Sequence, residues 1–114
     1  MNLIDNILSH GISLKPLGID SWAENKENIL KSIKELEKNN IFILGGDVYE
    51  LRDDQIFYTT DSWSCEKMNE ESDEEYLHQC AIKARRFVED FPVLNQGEFL
   101  FSLTVCTSLE LHTL

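Results

Sequence analysis

Apolar residues recur along the whole chain in blocks whose spacing alternates between helix-like and strand-like. Leu3, Ile4, Ile7 and Leu8 fall three and four apart, the spacing of one helical face, and Gly11 is placed to end that segment. Residues 12–19 contain Lys15-Pro16, and a residue before proline is driven out of the α region, so an extended connector is expected there. Ser21 with Glu24 three positions on has the form of a capping box. Trp22, Ile29, Leu30, Ile33 and Leu36 line the apolar stripe of the helix it would open, Glu27 and Lys31 pair on the wet side, and Asn39-Asn40 stops it.

The spacing then changes. IFIL (residues 41–44) is too short for a helix and rich in β-formers, Gly45-Gly46-Asp47 interrupts it, and VYEL (residues 48–51) resumes it. Two glycines inside a strand-like run predict a bulge or a sharp bend. Arg52-Asp53-Asp54-Gln55 is a polar turn and IFYTT (residues 56–60) a second strand, so residues 48–60 predict a hairpin. Residues 61–72 are mainly polar, with Trp63 and Cys65 standing out among them, and read as a loop. Ser72 and Glu75 form a second capping box, followed at helical spacing by Leu77, Cys80, Ala81, Ala84, Val88 and Phe91. Asp73, Glu74 and Glu75 stand at the start of this helix and Lys83, Arg85 and Arg86 further along, as the macrodipole prefers; Pro92 and Gly97 mark its exit. EFLFSLTVC (residues 98–106) is the last strand. The order predicts an α+β fold: a single small domain with a mainly antiparallel sheet of about four strands and about three helices packed on it.

Composition narrows the function classes. The 114 residues include 21 acidic and 10 basic side chains, a formal charge of −11, and 42% hydrophobic residues, enough for one core. Such a balance argues against nucleic acid and anionic membranes, both of which call for Lys and Arg. No stretch approaches the roughly 20 apolar residues of a membrane span. The N-terminus has no basic leader region, so no signal peptide is expected. Cys65, Cys80 and Cys106 are odd in number and lack a C-x-x-C spacing, which fits reduced thiols in the cytoplasm.

Catalytic chemistry finds little footing. His10, His78 and His112 show no zinc-site spacing, and His78 and Cys80 lie ~200° apart around a helix, at about 100° per residue. Cys80 and Cys106 fall on core-facing positions, and the charged neighbours of Cys65 lend its thiolate little net help. Residues 70–75 are acid-rich but lack the ligand ladder of a calcium loop, and they include a helix start that favours acids anyway. Gly45-Gly46 is followed by neither Lys-Ser/Thr nor a helix, so it is no phosphate loop. No catalytic residue, cofactor or metal is expected.

The uneven placement of charge is more informative. Residues 47–75 hold eleven acids against two bases, a net −9 of the total −11, interleaved with Tyr49, Phe57, Tyr58, Trp63 and Tyr76. Acidic groups beside aromatic anchors suit a binding face for a basic protein; the plainer alternative is a solvated acidic coat.

The segments GISLKPLGIDSWAENKENILKSI, NIFILGGDVYEL and IFYTTDSWSCE resemble the immunity protein 40 family of bacterial polymorphic toxin systems. The signals are Ile19, Asp20 and Trp22, then residues 44–49, then Tyr58, Asp61 and Trp63, and the resemblance runs from about Gly11 to Val105. Ser64 and Cys65 after Trp63 depart from the pattern. The resemblance implies a small cytoplasmic α+β protein that binds and blocks a cognate toxin domain, without catalysis or cofactor. Charge complementarity adds the expectation of a basic, nuclease-like toxin, met by a monomer or weak homodimer. The expected contact residues are Asp47, Tyr49, Asp53, Asp54, Tyr58, Asp61 and Trp63, as carboxylates pairing with Lys/Arg or as aromatic anchors. The same side chains have a structural alternative, with Tyr58 and Trp63 pinning a loop to the sheet and Asp47 capping the bend after Gly46. Two other readings are a small enzyme using clustered carboxylates, and an acidic adaptor that dimerises through Phe99, Phe101 or the edge of the last strand.

Overall fold

A sheet that buries one row of side chains and helices that each bury one stripe satisfy one another by packing in layers. A computed structural model, which describes residues 3–68, 70–92 and 98–107, shows that arrangement. The elements are α1 (Leu3–Leu8), β1 (Ile12–Ser13), a 3₁₀ turn (Lys15–Leu17), β2 (Trp22–Ala23), α2 (Lys26–Lys38), β3 (Phe42–Arg52), β4 (Gln55–Ser64), α3 (Asp73–Asp90) and β5 (Glu98–Cys106). β3 is the centre of a three-stranded antiparallel sheet in the order β4-β3-β5, and β1 pairs with β2 in a separate two-stranded ribbon. The expected α+β fold is present, with the strands divided three and two. Gly97 and His112 lie outside the described residues.

The helices cover one face of the main sheet. Ile29, Ile33 and Leu36 of α2 and Cys80, Ala81, Ala84 and Val88 of α3 pack on Ile43, Val48, Phe101 and Leu103. The second capping box forms as predicted: Ser72 Oγ accepts from Glu75 N (3.1 Å) and Glu75 Oε1 accepts from Ser72 N (3.4 Å). The opposite face is covered only in part. There Leu14 and Ala23, from the segment containing the ribbon, bury Tyr49 and Leu100, with Leu51 and Ile56 beside them.

Two local expectations are corrected and one is met. The Ser21/Glu24 box does not open a helix, and α2 is capped by Asn25, whose side chain accepts from Asn28 N at 2.8 Å. Glu24 instead forms a two-way backbone bridge with Phe101 of β5 (2.9 and 2.7 Å), which holds Trp22 and Ala23 extended. The apolar run ending at Leu44 and the run at 48–51 join in the single strand β3, and the bulge expected from the two glycines is found against β5 between Ile43 and Gly45. β4 reaches Ser64, so Trp63 belongs to a strand and not to a loop.

Candidate partner-binding face

The β3–β4 hairpin carries all seven of the expected contact residues. Its turn is a two-residue loop, Asp53 and Asp54, closed by the Arg52–Gln55 pair. Both aspartates have positive φ (51° and 63°), the signature of a type I′ turn whose twist matches that of the strands; aspartate is among the residues that tolerate this region. They therefore stand exposed at the hairpin tip.

Alternation along β3 separates the motif residues by face. Gly46 lies on the helix side, directly opposite Trp63, and the indole covers it so closely that a Cβ there would meet Trp63 Nε1 at 2.7 Å. The Trp63 ring also packs on Phe87 of α3, centroids 5.9 Å apart. Asp47 and Tyr49 occupy the other face with Tyr58, the residue paired with Tyr49. Tyr58 donates its hydroxyl to Asp47 Oδ1 (3.2 Å), and the Tyr49 and Tyr58 rings lie 5.5 Å apart, tilted at 47°. Tyr49 is buried and bonded to Ser102, whereas Tyr58 is 49% exposed. Both hydroxyls hold their protons above the ordinary tyrosine range, through desolvation first and the Asp47 carboxylate beside them second.

Between the Asp47–Ser62 and Tyr49–Tyr58 pairs, residues 59–61 of β4 face the single residue Val48, so the strand bulges. Thr59 Oγ1 stands in for the lost ladder, donating to Val48 O (2.9 Å) and accepting from Asp61 N (3.2 Å). Thr60 takes φ 70°, a strained region for a β-branched residue, and Asp61 is exposed beside it.

The structure adds residues that the hairpin motifs did not point to. Ile12, Leu17 and Ile19 are 40%, 40% and 38% exposed, an unusual concentration of large apolar side chains in one short stretch. Leu17 and Ile19 join Asp47, Tyr49 and Tyr58 around a cleft of about 390 Å³. Ile12, Ser13, Pro16, Leu17, Leu51 and Ile56, with Asp54 and Gln55, line a second cleft of about 520 Å³. Leu17 is common to both. The signal lies in the run ISLKPLGI, apolar residues around a proline with no helical period to bury them.

Several acids of residues 47–75 are engaged locally. Asp73, Glu74 and Glu75 serve the start of α3, Asp73 also pairing with Lys67 at 2.6 Å, and Glu71 Oε1 accepts from Met68 N. Glu50 pairs with Arg52, whose guanidinium lies 4.6 Å over the Phe57 ring. Asp47 and Asp54 line the two clefts of the half-covered face.

A family model described as immunity protein 40 matches residues 13–105. The chain belongs to the immunity protein 40 family. No curated protein and no solved structure matches it. An immunity protein has a toxin-neutralising role and a cognate toxin as its partner. The match spans both the segment that carries Leu17 and Ile19 and the hairpin that carries Asp47 and Tyr58.

Other features of this immunity protein carry structural duties. Among the described residues no group of three or more His, Cys, Asp or Glu is placed to hold a metal, and no helix is long and apolar enough to cross a membrane. Cys80 is buried against Cys65 and Tyr76, and burial pushes its thiol up to about 12. His78 lies exposed with Nδ1 2.7 Å from Glu37. Phe101 is buried, and Phe99 packs edge-on against Phe91.

Proposed function

We propose that this immunity protein neutralises its toxin in the cytoplasm by binding alone, through the sheet face that carries Asp47, Tyr49 and Tyr58. Leu17 and Ile19 extend that face, and Asp53, Asp54 and Asp61 supply charge around it. The observation that carries the reading is the cluster of exposed Leu17, Ile19 and Tyr58 around the Asp47 carboxylate, on the one face of the main sheet that the helices leave open. Apolar and aromatic anchors ringed by charge are the make-up of a protein-binding patch, and the negative sign selects a basic partner. Trp63 supports this face from behind, through Gly46 and Phe87, rather than presenting its ring to the partner.

The test uses the cognate toxin domain, co-expressed and co-purified with the immunity protein. Reversing charge at Asp53, Asp54 and Asp61 together is expected to slow association and to flatten its dependence on salt, since steering acts mainly on the on-rate. Tyr58→Ala with Leu17→Ala is expected to speed dissociation. Full protection and unchanged rates in both variants would place the toxin on another surface.

A further inference from the structure

The cleft beside Asp47 has a more specific chemistry than an acidic patch. Its lining side chains are Leu17, Ile19, Asp47, Tyr49 and Tyr58: one carboxylate, two aromatic rings and two aliphatic walls, with no Lys or Arg among them. We infer that this cleft receives an arginine side chain of the toxin as the anchor of the complex. The inference rests on the reading of this face as the toxin-binding surface.

Each component matches a part of that side chain. The Asp47 carboxylate has about four lone-pair sites, of which Tyr58 uses one, so it retains capacity for the paired N–H groups of a guanidinium. The Tyr58 hydroxyl steadies that carboxylate while its half-exposed ring offers a π face at the cleft wall. A guanidinium is planar and weakly hydrated and stacks on such a face, whereas an ammonium is a compact charge that resists losing its water. Leu17 and Ile19 give the three methylenes of the stem an apolar surface to cover. A purely aliphatic side chain in the same place would strip water from Asp47 without pairing it, which is unfavourable. The selectivity thus comes from carboxylate and ring acting together.

The free protein tests this without the toxin. N-acetyl-arginine N-methylamide, its lysine counterpart and its citrulline counterpart would each be titrated at constant ionic strength, followed by NMR of the tyrosine ring and Leu/Ile methyl signals. Arginine is expected to give saturable shifts confined to Leu17, Ile19, Tyr49 and Tyr58, with lysine at least about threefold weaker and citrulline without effect. Asp47→Asn is expected to abolish the response, and Tyr58→Ala to weaken it about tenfold, in proteins whose remaining spectrum matches the wild type. Equal responses to arginine and citrulline, or arginine binding that survives Asp47→Asn, would overturn the inference. If arginine binds here as described but Asp47→Asn still protects fully against the toxin, the arginine anchor is likewise overturned, and the cleft is left with a guanidinium preference alone. If the charge-reversal and Tyr58/Leu17 variants lose the toxin while the free protein shows no preference for arginine, the toxin-binding face stands and the arginine anchor falls.

Discussion

Gly46→Ala tests how the GGD and DSW segments depend on one another. The new methyl would sit 2.5 Å from the carbonyl oxygen of Ser102 in β5 and 2.7 Å from Trp63 Nε1. Both distances are far inside ordinary contact, and the first involves backbone in a paired strand, which cannot swing aside as a side chain can. Relief requires β3 and β5 to separate locally or the indole to leave its place against Phe87. Overpacking of this kind costs about 2 kcal/mol, and with a urea slope of about 1.5 kcal/mol/M the unfolding midpoint should fall by about 1.3 M. Urea titration followed by far-UV circular dichroism reads this directly. Trp63→Ala should cost less in the Gly46→Ala background than in the wild type, by about 0.5–1 kcal/mol, because the indole is already displaced. A Gly46→Ala midpoint within about 0.2 M of wild type would refute the close packing of Trp63 on Gly46.

Two further predictions concern the framework that holds the face. Glu24 is 2% exposed, and burial raises its pKa above 4.5 against the opposing effects of the Ser32 hydrogen bond (2.6 Å) and His10. The native state therefore binds more protons than the unfolded one above about pH 4.5, and Glu24 lowers stability as pH rises through that window. The stability of Glu24→Gln relative to wild type should accordingly increase from pH 4 to pH 8, measured by urea midpoints, and a difference independent of pH would contradict this. Ser72→Ala removes the cap of α3 and should cost about 1 kcal/mol, with hydrogen exchange accelerated at Glu75 and its neighbours; unchanged exchange there would contradict the capping box.

Some of this structure is written locally and some is not. The Ser72/Glu75 box is legible because all its partners lie within three residues and the helical period begins at once. The hairpin is legible for the same reason, two alternating runs joined by two residues that tolerate positive φ. The Ser21/Glu24 pair has the same local form, yet Glu24 is claimed by groups 77 and 8 positions away, Phe101 and Ser32, and helix formation is delayed to Asn25. A cap signal is a competition between local and distant hydrogen-bond partners, and only the fold shows the distant ones.

The candidate site divides along the same line. The sequence alone determined the α+β class, the hairpin, the last helix and strand, and the family resemblance carried by Ile19, Asp20, Trp22, GGDVY and DSW. It also concentrated the charge in residues 47–75, but charge per segment says nothing about which face each side chain takes. Tertiary structure decided that Trp63 packs inward over Gly46 while Asp47, one residue later, points to the opposite face. It also brought Leu17 and Ile19 across to Asp47 and Tyr58, about thirty and about forty residues away along the chain. Period-two alternation sets the first of these once the register is known, and register is fixed by pairing between strands rather than by either strand alone. The second depends on how the segment before α2 folds back over the sheet, and that is set by the bridge from Glu24 to Phe101.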